Sequence, residues 1–83
     1  MNKDMVEKGK LLEPAVRIGK NGLNEGTVEE IKKHLKKKRL IKVKFLKSAL
    51  DDKDKKEFAK DIAEKCNAEL IHQVGFVVVL NRK

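Results

Sequence analysis

The 83-residue chain has no tryptophan, no tyrosine, one cysteine and one proline. Each shortage removes a class of function. The three aromatic residues, Phe45, Phe58 and Phe76, all fall on apolar stripes, so an exposed platform for stacking bases is poorly supplied. The single Cys66 forms no internal disulfide. With His34 on a lysine-rich helix and His72 alone near the hairpin, it offers neither a nucleophile–base pair nor the clustered ligands of a metal site. No apolar run approaches the roughly 18 residues of a membrane span, and the start, "MNKDMVEKGK", lacks the hydrophobic core of a signal peptide. The expectations are a protein of the reducing cytoplasm with no membrane partner, no enzymatic activity, and neither catalytic residue, cofactor, metal nor small-molecule substrate.

Charge is what the chain has in excess: 41% of residues are charged and the net charge is +8. Its distribution is uneven. Residues 20–47 hold ten bases and three acids, whereas residues 48–67 hold five and six. A concentrated excess of this kind is the footprint of a polyanion partner rather than a device for solubility spread over the surface.

Periodicity supplies the elements, and the absence of linkers or repeats makes residues 1–83 one domain. "KDMVEKGKLL" reads as a short helix weakened by Gly9 and stopped before Pro14. "PAVRIG" is a strand with Val16 and Ile18 on one face and Arg17 on the other. A second helix spans about Glu25 to Arg39, capped by Asn24 or Thr27, with Val28, Ile31 and Leu35 as its buried stripe. "LIKVKFLK" alternates Ile41, Val43 and Phe45 against Lys42 and Lys44. "DDKDKKEFAKDIAEKCN" is a third helix capped by Asp51 or Asp52, burying Phe58, Ala59, Ile62, Ala63 and Cys66, with a mixed-charge outer face exposed to solvent. "AELIHQ" and "FVVVLNR" form an antiparallel hairpin around Val74-Gly75, and the apolar run Phe76 to Leu80 suits a strand central in its sheet.

The order αβαβαββ predicts an α/β (α+β) domain with a four-stranded mixed sheet. Strand–helix–strand crossovers impose parallel pairing and the terminal hairpin imposes an antiparallel pair. Helices should cover mainly one face and leave Arg17, Lys42 and Lys44 on the other. With no apolar stripe left over, a monomer is expected.

"VRIGKNGLNEG" is the informative stretch. Gly19 and Gly22 bracket Lys20 and Asn21 just before a helix begins, so unshielded backbone N–H groups and the positive end of the helix dipole lie close together. The loop lacks both the third glycine of GxGxxG and the Gly-Lys-Ser/Thr ending of a nucleotide-binding loop. What fits is contact with a phosphate backbone, with shape rather than base edges being read. Glu25 and Glu29 would repel phosphate beside the helix start, favouring approach from the side of Lys20, Asn21 and Arg17.

Three segments, "LLEPAVRIGKNGLNEGTVEEI", "LIKVKF" and "GFVVVLNRK", together resemble the chloroplast RNA splicing and ribosome maturation (CRM) domain, and especially its free-standing prokaryotic YhbY-like members. The resemblance covers essentially the whole chain. It implies a fold similar to the C-terminal domain of translation initiation factor three, RNA as partner, and a GxxG loop that touches it. It also implies association with large ribosomal subunit precursors in prokaryotes and with group II introns in plants. On this basis the RNA-binding residues are Gly19, Lys20, Asn21 and Gly22 with Arg17, Lys32, Lys33, Lys36, Lys42 and Lys44. The first helix departs from the family pattern in being short and less basic. A KH domain is disfavoured because its GxxG joins two helices. The alternatives are an Alba-like nucleic-acid coat protein, which would carry a longer hairpin arm, and a protein-interaction module without RNA contact.

Overall fold

Strict alternation builds the strand on which the rest is laid. Ile41, Val43 and Phe45 are buried on one side of β2 (Leu40–Phe45), while Lys42 and Lys44 point to the other. The computed structural model describes residues 3–50 and 52–83. In it β2 pairs in parallel with β1 (Pro14–Ile18) and antiparallel with β4 (Val77–Arg82), which pairs antiparallel with β3 (Ala68–Val74). The sheet order is β1-β2-β4-β3, so the apolar run at the end of the chain occupies a central strand as its composition requires.

α2 (Glu25–Lys37) and α3 (Lys55–Lys65) share one face of this sheet. Ile31 and Leu35 from α2, and Phe58, Ala59 and Ile62 from α3, close a single core with Val16, Ile18, Ile41, Val43, Phe45, Val78 and Leu80. α1 (Lys3–Leu11) lies on the opposite face, against β2, β3 and β4. Gly9 explains how it fits there. The residue is buried, and a Cβ at this position would fall 2.6 and 2.8 Å from the two methyl groups of Val79. The glycine that weakens the helix by propensity is thus what lets its backbone reach a β-branched side chain of the central strand.

Several boundaries differ from the sequence reading, each for a local reason. α2 stops at Lys37, where Lys38 turns extended and donates its N–H to the His34 carbonyl. The second strand ends at Phe45 rather than 47, because the chain turns into a short 3-10 segment, Lys47–Ala49, that tucks Ala49 into the core. The third helix begins after Asp54, whose side chain makes no capping bond, while Asp52 sits in the left-handed region at φ 70; Asp51 lies outside the described residues. The hairpin turns on Gly75 and Phe76, with Gly75 at φ 55, so Phe76 belongs to the turn and not to the strand. A two-residue turn leaves no long arm.

The far face is also less open than the alternation alone implies. Lys42 is half-buried beneath α1, and its ammonium donates to the Lys10 carbonyl at 3.0 Å, satisfying one of the orphan carbonyls at that helix end. Arg17 and Lys44, register partners on β1 and β2, remain exposed beyond α1.

Candidate nucleic-acid interface

The GxxG segment is a closed turn. Gly22 N–H donates to the Gly19 carbonyl at 2.9 Å, leaving Lys20 and Asn21 exposed at the tip. Strand β1 is tied off just before it by the Leu46 N–H, which donates to the Ile18 carbonyl at 3.0 Å. Just after it, the Asn24 side-chain oxygen accepts the Thr27 N–H at 2.9 Å, so Asn24 rather than Thr27 caps α2. The loop is therefore held at both ends, and the N–H groups of Lys20 and Asn21 meet no acceptor among the described residues.

The two glycines do different work. Gly22 adopts φ +71, which side chains disfavour, and packs over the Ala49 carbonyl. Gly19 has no positive φ, and a Cβ there would meet nothing within 4 Å. Folding requires the first of these glycines and not the second.

Beneath the loop lies a depression of about 400 Å³, lined by Lys20, Asn21, Gly22, Ser48, Lys53 and Lys65 among others. It adjoins a second, which shares Lys65 and is bordered by Glu25 and Glu29 of α2. One helical turn further along α2 comes a third, around Lys32, Lys36, Asn67, Arg82 and Lys83. The first two share Leu23 and Lys65 and form one groove beside the loop, whereas the third has no lining residue in common with them. Lys53 is paired with Asp61, so the cations beside the loop are partly balanced. The third depression has no Asp or Glu in its lining.

The residues singled out from the sequence therefore fall on more than one surface. Gly19, Lys20, Asn21 and Gly22 meet at the loop, and Lys32 and Lys36 line the separate third depression farther along α2. Lys33 is exposed on the outer side of α2, away from the groove. Arg17, Lys42 and Lys44 sit on the other face of the sheet, and Lys42 is occupied in capping α1. Lys53, Lys65, Arg82 and Lys83 escaped the sequence reading. No periodicity betrays them, because only the tertiary fold carries α3 to the loop and the end of β4 to the end of α2.

Cys66 is buried in the core and faces the third depression beside Lys32. Burial pushes its thiol up to about 11, with the Lys32 ammonium acting in the opposite sense. At pH 8 its thiolate is about a hundredfold scarcer than that of a free thiol, so labelling by a thiol reagent should be slow and should accelerate on unfolding. The fold favours the protonated thiol. That contribution to stability is full below about pH 8.5 and is lost as pH rises through about 11, which a Cys66→Ser comparison in alkaline melts would resolve. Among the described residues no group of three or more His, Cys, Asp and Glu could hold a metal ion, and no helix is long and apolar enough to cross a membrane.

Comparison with known proteins gives this arrangement a context. A solved structure from Staphylococcus aureus, described as a candidate RNA-binding protein, superposes with a TM-score of 0.80 at 32% identity, covering 98% of this chain and 82% of that one. A Methanocaldococcus jannaschii protein named as a probable RNA-binding protein is 42% identical over 82 residues, 99% of this chain; the chain spans 60% of that relative's length. An RNA-binding protein of Haemophilus influenzae is 35% identical over 71 residues, covering 86% of this chain and 70% of the relative. The model of the CRS1/YhbY (CRM) domain matches residues 2–82, and with it the chain belongs to the CRS1/YhbY (CRM) domain family.

Proposed function

We propose that residues 1–83 act as one RNA-binding domain that takes hold of structured RNA by its sugar–phosphate backbone at the Gly19–Gly22 turn, as a non-enzymatic, monomeric cytoplasmic factor in assembly of the large ribosomal subunit. The observation that carries this reading is Gly19. A glycine with ordinary backbone geometry and empty space where its side chain would be is not demanded by the fold. It is the residue wanted where another backbone must come close. The amides of Lys20 and Asn21, the ammonium groups of Lys20 and Lys65 and the N-terminal end of α2 provide donors and positive charge around that point. The names of the relatives support RNA as the ligand, and the resemblance to YhbY-like proteins supports ribosomal RNA as its source.

A pair of glycine substitutions tests the reading. Gly19→Ala should leave stability unchanged or raise it by up to about 0.5 kcal/mol, since it restricts the unfolded chain without strain. RNA affinity should nevertheless fall severalfold. Gly22→Ala, forced to φ +71, should cost about 1–2 kcal/mol of stability. Thermal melts and equilibrium binding to a large-subunit ribosomal RNA fragment separate the two, and a Gly19→Ala protein that binds RNA as tightly as the wild type would remove the turn from the interface. Co-sedimentation with large-subunit precursors, and its loss in the same variant, tests the source of the RNA.

A further inference from the structure

We infer that the third depression, framed by Lys32, Lys36, Arg82 and Lys83, is a second phosphate-binding surface, and that the RNA engaged by this protein is a paired element whose two strands meet the turn and this depression separately. The inference rests on the RNA-binding reading above and specifies the form of the RNA.

Four cationic side chains from two distant parts of the chain converge here with no Asp or Glu among them. The Arg82 guanidinium donates through one nitrogen to the Lys36 carbonyl at 3.2 Å, and the Arg82 N–H donates to the Arg39 carbonyl at 2.8 Å. These bonds fix the arginine against the end of α2 but engage only uncharged carbonyls. The helix dipole favours cations at this end, yet it is a partial charge facing several whole ones. An external polyanion would meet several like charges here at once.

The geometry between the two cationic regions argues for two strands. Along α2, Glu25 to Lys32 spans about 10 Å and Glu25 to Lys36 about 16 Å at the helical rise per residue. Glu25 and Glu29, both exposed, border the groove in that interval. A single strand running from the turn along α2 to the third depression would have to carry its phosphates past both carboxylates. A paired RNA placing one strand at the turn and the other at the far depression spans the acidic interval without touching it. The aromatic side chains point the same way: Phe45 and Phe58 are buried and Phe76 packs on Phe45, leaving no aromatic platform of the kind on which successive unpaired bases stack.

The test is equilibrium binding, across a salt series, of a fully paired RNA hairpin and of an RNA strand of equal length unable to pair. The proteins are wild type, Lys20→Asp with Asn21→Asp, and Lys36→Glu with Lys83→Glu. The last two positions are exposed, and thermal melts check that folding is retained; Lys36→Gln with Lys83→Gln provides a milder version. The Lys36/Lys83 reversal should weaken hairpin binding about tenfold and reduce its salt slope by about 1.5, with binding of the unpaired strand nearly unchanged. Unchanged hairpin affinity and slope would overturn the second site. Equal weakening for both RNAs would overturn the two-strand form, leaving a general polyanion surface. A wild type that binds neither RNA would instead overturn the RNA-binding reading itself.

Discussion

Reversing charge at the tip of the turn, Lys20→Asp with Asn21→Asp, is expected to weaken binding to structured large-subunit ribosomal RNA by about tenfold to a hundredfold. Two carboxylates would then stand where phosphate oxygens approach, in place of one ammonium and one amide. The exposed N–H groups of the tip would meet a local negative field. Both side chains are exposed and neither makes a bond that holds the turn, which closes through Gly22 and Gly19 backbone groups alone. Stability should therefore change by no more than about 0.5 kcal/mol. The slope of log affinity against log salt should become shallower by at least about 1, since at least one phosphate contact is lost. Duplex DNA belongs in the same titration. If wild type and variant bind RNA and DNA alike, Gly19–Gly22 is only a turn and the lysines form a general polyanion surface.

The largest effect on stability should come from Phe45→Ala, at about 3–5 kcal/mol. Phe45 closes β2 at the point where three parts of the fold meet. Its ring lies 4.9 Å from that of Phe58 on α3 and 5.6 Å, edge-on, from that of Phe76 in the β3–β4 turn. Its N–H donates to the Phe76 carbonyl at 2.9 Å, and the next N–H, from Leu46, ties down β1 beside the glycine turn. Truncation leaves a cavity among an α-helix, a hairpin and two parallel strands. Against a total stability of about 5–15 kcal/mol this places the domain near its limit. Denaturant melts should show a much lower midpoint, whereas Lys55→Ala, which removes only the ammonium stacked 4.6 Å above the Phe76 ring, should cost at most about 1 kcal/mol. A Phe45→Ala protein within 1 kcal/mol of wild type would show that the three contacts relax independently.

Much of this architecture was legible in the sequence because two periods carry it. Ile41-Val43-Phe45 against Lys42-Lys44 fixes a strand and its buried face, and Ile31 with Leu35 fixes the inner side of a helix. The choice between Asn24 and Thr27 was not legible, since both have the chemistry of a cap and only the geometry of the turn selects Asn24. Gly9 was legible as a defect in a helix but not as a point of close approach, because Val79 is 70 residues away. The glycine turn could be recognised from its spacing alone. Its surroundings could not: Lys65 lies on a helix whose outer face mixes charges, and Arg82 ends a strand otherwise read for its apolar core. Charges acquire a common surface only through topology, and neither a window of composition nor a helical repeat encodes that.

The two outer strands of the sheet, β1 and β3, are both irregular. β1 begins at Pro14, which has no N–H to offer, and its register slips between Pro14 and Val16; β3, at the other edge, slips between Leu70 and His72. Irregular edges make poor templates for another chain to add onto. On the RNA-binding reading proposed above, RNA that neutralised the excess positive charge would remove the electrostatic repulsion that keeps copies of the protein apart. The irregular borders of the sheet would still oppose edge-to-edge growth, so copies of the protein crowded onto a nucleic acid would not add strand to strand.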